Sequence, residues 1–456
     1  MKKEFAKKLF YIALPITIQS LISTSVNMVD TFMIGKLGEY QIAALGVANQ
    51  IFFIFNLLAM GLFSGSNVLI SQYYGFLVTN TGEKIKVYKN KIKEIMGYSM
   101  VVGIFTALIF IAALFIMDDY IIKIFNDNSY VIKYGLDYLY IVIFGYLFTA
   151  ISLCYGISYR SIGKSYIPMV TSFIAVIINI ILNYVLIFGK FGAPVLGVKG
   201  AAIATLIARI IEAVLLIAIV HKSTPLFVVS ISNLKSLKRS FVKQINETIM
   251  PVVVNEMCWG FGMVVYAVIY GRIGVTALAS IQICTSIQNV FMVLFFGISH
   301  ASCVMIANKI GEDDMEGTKI YSAYFLKTAL GIGVSIGILL FLSKGFILSF
   351  FDVSSEVYRS SDNILMLSSF IFPIRFINIL LIVGILRGGG DTKAALYFEL
   401  ITMWLIGVPA ALAGAFVFKL GVEYVYGLVL IEEFIKFFCC LIRYRSFKWI
   451  NNLTTA

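Results

Sequence analysis

Long apolar runs fill most of the chain, and short polar segments separate one run from the next. A helix needs about 20 mainly apolar residues to cross the hydrocarbon core of a bilayer. The pattern therefore predicts about twelve transmembrane helices, which we number spans 1 to 12. The spans cover residues 10–34, 46–73, 95–117, 136–159, 167–188, 200–220, 246–270, 279–307, 322–342, 363–386, 395–418 and 422–442.

The composition supports a membrane location and excludes a large soluble domain. Of the 456 residues, 60% are hydrophobic and only 13% are charged, whereas soluble domains contain about 45–50% apolar and about 25% charged residues. The net charge of +12 does not indicate nucleic-acid binding, because the basic residues lie in short segments between apolar runs. We therefore predict an all-α integral membrane protein that binds no nucleic acid.

Basic residues are distributed unevenly over the polar segments. With both termini on one side, that side carries 24 Lys and Arg residues, and the opposite side carries 9. Segments rich in Lys and Arg stay on the cytoplasmic side, so we predict a multi-pass protein of the inner (cytoplasmic) membrane with both termini in the cytoplasm. The first apolar run is too long for a signal-peptide core, and we expect it to be span 1.

The chain contains an internal repeat. Residues 15–75 match residues 251–311 without a gap, at an offset of 236, and residues 160–165 resemble residues 387–392 at an offset of 227. Glycines at fixed spacing are harder to obtain by chance than shared apolar residues. The identical positions include Pro15 and Pro251, Gly35 and Gly271, Gly38 and Gly274, Gly61 and Gly297, and Ser66 and Ser302.

The repeat predicts two pseudo-symmetric lobes of six helices around a central cleft. Each copy has an even number of spans, so both enter the membrane from the same side and are related by an axis along its normal. We predict an N-lobe over residues 1–222, a cytoplasmic linker over 223–244 and a C-lobe over 245–456. By analogy of fold, two lobes of this kind indicate alternating-access transport.

Several short motifs, in order and in both halves, resemble those of the multidrug and toxic compound extrusion (MATE) family, bacterial type. They are Leu14-Pro15, Val29-Asp30-Thr31, Ser71-Gln72-Tyr73-Tyr74-Gly75, Pro251 with Asn255-Glu256, and the segment from Leu386 to Thr392. The resemblance covers nearly the whole chain. It implies a monomeric antiporter in the lipid membrane that needs no cofactor. Such a protein exports small organic cations or amphipathic drugs in exchange for the coupling ion, H⁺ or Na⁺.

Asp30 is the first candidate for coupling, because it is an acid within span 1. An ionisable residue at mid-bilayer costs roughly 2.5–3.5 kcal/mol on insertion scales, so it should face the bundle or water. The offset of 236 places Tyr266 at the matching position, which leaves this acid in one lobe only. The alternative interpretation is a structural hydrogen-bonding group near the outer end of the helix.

The resemblance also implies a cation site around Asp30. Bacterial relatives combine this acid with an Asn and an Asp one turn apart on span 5 and a Thr on span 6. Asp30, Asn179 and Thr205 match that pattern, whereas the second span-5 acid is Asn183 here. An amide supplies an oxygen to Na⁺ but carries no proton. Either Asp30 alone takes the proton, or it holds Na⁺ more weakly, or coupling lies elsewhere.

Glu256 on span 7 is the second candidate, for coupling or for substrate binding in the C-lobe. Relatives place an important Glu one turn later, which is Trp259 here, and their span-10 Asp falls at Phe376. Because an unpaired charge would be costly at this position, we predict an ion pair between Glu256 and Arg375. This pair is equally compatible with a structural role. For the substrate cleft, span 8 offers Gln282, Gln288 and Asn289.

The remaining charges within spans are expected to pair locally. Arg209 and Glu212 lie three residues apart, and Glu432 and Lys436 lie four apart, so each pair shares a helix face. The closest alternative to drug export is a flippase of the wider superfamily, which would move a lipid-linked precursor. A membrane enzyme would need a catalytic set, and a channel would need a filter-like polar loop within the membrane; the sequence displays neither. We therefore predict a transporter that is not an enzyme.

Overall fold

In the computed structural model, residues 2–82 and 84–455 are described, and long helices dominate both halves of the chain. The helices of the first half follow the predicted spans closely, because each apolar run ends at a polar or glycine-containing turn. They are α1 (Lys2–Gly35), α2 (Glu39–Thr79), α3 (Lys84–Lys123), α4 (Ser129–Val142), α5 (Gly145–Ser161), α6 (Tyr166–Phe188) and α7 (Val198–Ser223). Span 4 is formed by α4 and α5 together, with a bend of 50° between them.

The second half contains long helices followed by interrupted ones. Three π-helical segments cover Leu380–Leu386, Ile401–Gly407 and Ala413–Val417. The first continues α12, the second joins α13 to α14, and the third follows α14. The α-helices are α8 (Ile231–Lys235), α9 (Arg239–Ile273), α10 (Val275–Gly311), α11 (Met315–Leu348), α12 (Ser355–Ile379), α13 (Thr392–Leu400), α14 (Val408–Leu412), α15 (Val422–Val429) and α16 (Ile431–Arg445).

Most of these helices are long and apolar enough to cross a membrane. Within the described ranges, ten helical stretches have that character, and the bent pair α4–α5 makes eleven. The predicted span 12 corresponds to α15 and α16. It is less apolar because Glu432, Glu433 and Lys436 lie near the start of α16. The fold class is therefore confirmed: the protein is an all-α, multi-pass membrane protein.

The chain divides into two compact units. One unit combines Met1–Leu9 with Met250–Ala456, and the other is Phe10–Ile249. We call them the C-lobe unit and the N-lobe unit. The N-lobe unit packs α6 against α7 and α2 against α3, and the C-lobe unit packs α11 against α12. The predicted boundaries at residues 222 and 244 stay predictions.

Equivalent positions of the two repeats make equivalent contacts. In the N-lobe unit, Arg160 Nη2 donates to Gln19 Oε1 at 2.7 Å. In the C-lobe unit, Arg387 Nη2 donates to Asn255 Oδ1, and both residues follow from the first pair by the offsets read from the sequence. The glycines three residues after these arginines have positive φ angles of 75° and 81°, a conformation that a side chain disfavours. The two units thus repeat the same local contact and the same glycine conformation at positions that the sequence repeat relates.

The turn between α10 and α11 is held by one acid, Asp314. Its Oδ1 accepts from the backbone N–H of Gly317 at 2.8 Å, and its Oδ2 accepts from Lys309 Nζ at 2.9 Å. The hydrogen bond from Lys309 and that from Gly317 together hold the pKa of Asp314 below its ordinary value. Asp314 therefore acts as the N-cap of α11.

We expect Asp314→Ala to lower the free energy of unfolding by about 1 kcal/mol, the usual loss for an N-cap. Because the folded-state pKa is depressed, this stabilisation is present above the pKa of the unfolded chain and is lost as pH falls through the folded-state pKa. Thermal unfolding in detergent should show a difference from wild type that shrinks on acidification. Asp314→Asn keeps the cap and should lose less, so equal losses would contradict this account.

Candidate cation-coupling site

A cavity of about 90 Å³, lined by both apolar and polar groups, lies inside the N-lobe unit. Helices α1, α2 and α4 to α7 all contribute to its lining, so residues far apart in sequence meet there. Apolar and polar side chains alternate in the lining, and most of its charged and amide groups come from α1, α6 and α7. Its polar residues with a bearing on coupling are Asp30, Tyr138, Asn179, Thr205, Arg209 and Glu212.

The four residues of the predicted N-lobe cation site form one hydrogen-bonded chain. Asn183 Nδ2 donates to Asp30 Oδ1 at 2.5 Å and to Asn179 Oδ1 at 3.1 Å. Asn179 Nδ2 in turn donates to Thr205 Oγ1 at 3.4 Å. The spacing of four residues places both asparagines on the same face of α6, between α1 and α7. The structure thus brings these residues together, and their role in coupling stays a prediction.

Two groups in this hydrogen-bonded chain lack a partner: one lacks a hydrogen-bond donor, and the other lacks a positive charge. The Asn183 side chain is fully buried, and its Oδ1 accepts no hydrogen bond from any described residue. Among the described residues, no basic side chain forms an ion pair with Asp30, because Arg209 binds Glu212 instead. A carboxylate beside an unsatisfied amide oxygen is a place where a proton or a small cation would be stabilised.

A second acid, Glu212, shares this cavity with Asp30. Arg209 Nη1 donates to Glu212 Oε2 at 3.1 Å, which confirms the predicted local pair. Ser172 Oγ donates to the other carboxylate oxygen at 2.5 Å. The sequence interpretation missed that Glu212 faces the same cavity. The signal was present, because Thr205, Arg209 and Glu212 recur at i, i+4 and i+7 and therefore share one face of α7.

In the C-lobe unit, the predicted pair of Glu256 with Arg375 is wrong. Glu256 Oε1 instead lies 2.6 Å from Arg387 Nη1, while Arg375 Nε lies 3.2 Å from Glu433 Oε1. Arg387 is 12 residues beyond Arg375, along α12 and the π-helical segment that continues it, so the two arginines lie at different depths of the helix. The role of Glu256 and Arg375 in coupling or substrate binding stays a prediction.

The three polar residues predicted for the substrate cleft differ in their surroundings. Gln288 is buried and belongs to an internal network: its Nε2 donates to Ser368 Oγ at 2.9 Å, and its Oε1 accepts from Arg375 at 3.1 Å. Gln282 and Asn289 are exposed on α10. Gln288 thus has a structural function that the sequence did not indicate, and the cleft role of all three stays a prediction.

Arg375 and Glu433 belong to a larger buried group that we call the C-lobe charge cluster. Lys436 Nζ lies 3.0 Å from Glu399 Oε1 and 3.9 Å from Glu432 Oε1, the partner predicted from sequence. Tyr266 OH donates to Glu432 Oε2 at 2.7 Å. Its members are Arg375, Glu399, Glu432, Glu433 and Lys436, and it brings together α12, α13 and α16.

Comparisons with known proteins agree with this architecture. The family model MatE matches residues 15–185 and 251–412. The uncharacterized transporter YisQ of Bacillus subtilis (strain 168) is 24% identical over 446 residues, which are 97% of this chain and 95% of that protein. The probable multidrug resistance protein NorM of Thermotoga maritima is 24% identical over 428 residues, covering 92% of this chain and 87% of its own.

A solved structure supports the fold. The crystal structure of the Vibrio cholerae MATE transporter VcmN, in a mutant form, superposes with a TM-score of 0.87 at 18% sequence identity. The match covers 100% of this chain and 99% of that one. At this level of identity the likeness establishes the fold, while the chemistry has to be argued from the residues present here.

Proposed function

Because the chain belongs to the MatE family, as its motifs predicted, we propose that it is a cation-coupled antiporter. It exports amphipathic, often cationic organic compounds across the inner membrane by alternating access. The exchanged ion is H⁺ or Na⁺, and both termini lie in the cytoplasm. Its relative NorM from Thermotoga maritima is named a probable multidrug resistance protein. This name supports drug export over transfer of a lipid-linked precursor.

The observation that carries the coupling proposal is the unpaired carboxylate of Asp30 in the N-lobe cavity. Asn183 donates to it, so this arrangement fits the ionised form, which only accepts hydrogen bonds. An ionised acid inside the membrane is costly without a compensating charge. Asp30 would therefore bind the coupling ion or a positively charged substrate, and never both at once.

Competition at one carboxylate converts an ion gradient into export. An antiporter must change conformation when loaded with either partner, and each ligand shifts the equilibrium only through its different affinity for the two states. Asn183, Asn179 and Thr205 follow Asp30 in one chain of hydrogen bonds, and each of them carries a side-chain oxygen. They would supply neutral ligands to Na⁺, or acceptors to a protonated Asp30.

The family is a family of transporters, and we propose neither an enzymatic activity nor a cofactor for this chain. The protein would act as a monomer surrounded by lipid. Its small-molecule partner would be an organic cation or an amphipathic drug. The polar cavity and the internal acids require no covalent chemistry for this role, because transport changes only the side of the membrane on which the ligand is released.

The test uses the purified protein in liposomes loaded with a fluorescent organic cation such as ethidium. A pH gradient and a Na⁺ gradient are imposed separately, and dye movement is recorded. We expect one gradient to drive uphill movement of the dye and the other to have no effect, which identifies the ion. If neither gradient moves the dye while a fluorescent lipid-linked precursor is flipped, the antiporter proposal is wrong.

A further inference from the structure

The C-lobe charge cluster contains one more acid than base. Glu399, Glu432 and Glu433 face Lys436 and Arg375, so the fully ionised cluster has a net charge of −1. Four of the five residues are buried, and Arg375 is nearly so. A net charge buried in a membrane protein is expensive. One further positive charge would neutralise the cluster.

The negative charges of the three acids are balanced to different extents by nearby basic groups and hydrogen-bond donors. Glu399 has Lys436 at 3.0 Å. Glu433 has Arg375 at 3.2 Å and accepts a hydrogen bond from Asn378 Nδ2 at 2.8 Å. Glu432 has only the hydroxyl of Tyr266 at 2.7 Å and Lys436 at a distance of 3.9 Å. The excess negative charge is therefore located at Glu432.

The hydrogen bonds of the cluster show the same deficit. Asn378 is buried, and its Nδ2 donates twice to Glu433, to the carboxylate and to the backbone carbonyl. Its Oδ1 accepts from no described residue. A buried acceptor without a donor is rare in native proteins. The cluster thus lacks one positive charge and also contains one acceptor without a donor, and a proton bound at Glu432 would supply the missing charge.

The space around Glu432 favours a proton over a metal ion. A Cβ atom built on Gly407 would collide with both Glu432 Oε2 and Tyr266 OH, so this pair packs directly against the backbone of Gly407. An alkali cation needs several oxygen ligands around it, whereas a proton needs no added volume. Tyr266 is suited to both states, because a hydroxyl donates to a carboxylate and accepts from a carboxylic acid.

The helices that hold the cluster are irregular at this depth. The π-helical segment Leu380–Leu386 begins just after Asn378, and Ile401–Gly407 begins just after Glu399 and ends at Gly407. π-helical turns occur mostly as single turns, and frequently at functional sites. The irregular backbone therefore coincides with the cluster on two of its three helices.

The internal repeat relates the two acids. Tyr266 occupies the position equivalent to Asp30 at the offset of 236. In the N-lobe unit the first repeat helix supplies the acid, and α6 supplies the donor, Asn183. In the C-lobe unit the first repeat helix supplies the donor, and α16 supplies the acid, Glu432. The equivalent position thus takes part in a carboxylate hydrogen bond in both units.

We propose that Glu432 is a second proton-binding site, in the C-lobe unit, which is loaded and unloaded while the protein remains folded. A hydronium ion from the aqueous phase transfers its proton to one Glu432 oxygen: its O–H bond breaks, an O–H bond to the carboxyl group forms, and a water molecule is released. The Tyr266 hydroxyl can then accept a hydrogen bond from the carboxylic acid. The charged and titratable groups that face this acid are Tyr266 and Tyr270 of α9, Arg375 of α12, Glu399 of α13, and Glu433 and Lys436 of α16.

The test is pH-difference infrared spectroscopy on the full-length protein in lipid, which detects the carbonyl stretch of protonated carboxyl groups. We expect two protonatable buried carboxyls, of which Asp30→Asn removes one and Glu432→Gln removes the other. Gln keeps an oxygen that accepts from Tyr266, so the variant should fold. Glu399→Gln and Glu433→Gln are the matched controls: each keeps Glu432 but removes a neighbouring negative charge, so the Glu432 band should remain and should appear at lower pH than in the wild type.

Several outcomes would overturn the proposal. One is a Glu432→Gln spectrum that matches that of wild type, and another is displacement of the band by Na⁺ at constant pH, which would indicate an alkali-cation site. Tyr266→Phe gives a test that leaves the acid in place: the band should shift in frequency and persist, and an unchanged frequency would contradict the proposed hydrogen bond. No organic substrate takes part, so the result does not depend on the proposed antiport.

Discussion

Asp30→Asn is expected to reduce gradient-driven export of an organic cation to the rate of protein-free liposomes. The substitution preserves shape, and the new amide oxygen still accepts the hydrogen bond that Asn183 Nδ2 gives to Asp30 Oδ1 at 2.5 Å. It removes the charge, and an amide binds no proton in the physiological range. The folded variant would therefore lack the competition on which exchange depends.

Two variants, one in the same cavity and one at the hydrogen-bond donor to Asp30, serve as controls for Asp30→Asn. Glu212 already has Arg209 as its ion-pair partner, so Glu212→Gln should weaken transport without abolishing coupling. Asn183→Asp places a second acid beside Asp30 and increases the negative charge of the site, so it should raise the affinity for Na⁺. Full coupling in Asp30→Asn, with loss of coupling in Glu212→Gln, would transfer the role from Asp30 to Glu212.

The local features of the fold could be predicted from sequence because they depend on short-range patterns. The apolar runs gave the spans, and the repeat offsets of 236 and 227 gave positions that make the same contact in both units, as Arg160 with Gln19 and Arg387 with Asn255 show. Span 12 was predicted as one helix despite its charges, whereas the structure divides it into α15 and α16. Helix-face arguments also placed Arg209 next to Glu212 correctly.

Contacts between helices far apart in sequence could not be predicted from the sequence. Periodicity shows on which face of its helix a residue lies, but it does not show which residue of another helix it contacts. Glu256 could pair with any arginine at its depth, and the choice of Arg375 was wrong because Arg387 is the arginine that lies beside Glu256, at 2.6 Å. The bond from Tyr266 to Glu432 joins residues 166 positions apart. The N-lobe group was found only because the family pattern supplied the partners of Asp30.

Arg387→Met is expected to destabilise the protein by about 3–5 kcal/mol, the cost of removing one partner of a buried ion pair. Arg387 is 2% exposed and binds both Glu256 Oε1, at 2.6 Å, and Asn255 Oδ1. Its loss leaves an anion and an amide oxygen without a donor in the C-lobe unit. Thermal unfolding in detergent measures the effect, which should exceed that of Asp314→Ala severalfold.

The repeat provides the matched control for Arg387→Met. Arg160 occupies the equivalent position but donates to Gln19, a neutral partner, so Arg160→Met should cost about 1.5–3 kcal/mol, the range for a hydrogen bond to a charged group. Adding Glu256→Gln to Arg387→Met removes the stranded charge and should restore part of the stability. If it restores nothing, Glu256 is not stabilised by Arg387. Transport by the single variant Glu256→Gln then separates the two roles of this acid, because a structural pair affects unfolding while a coupling group affects the response to the ion gradient.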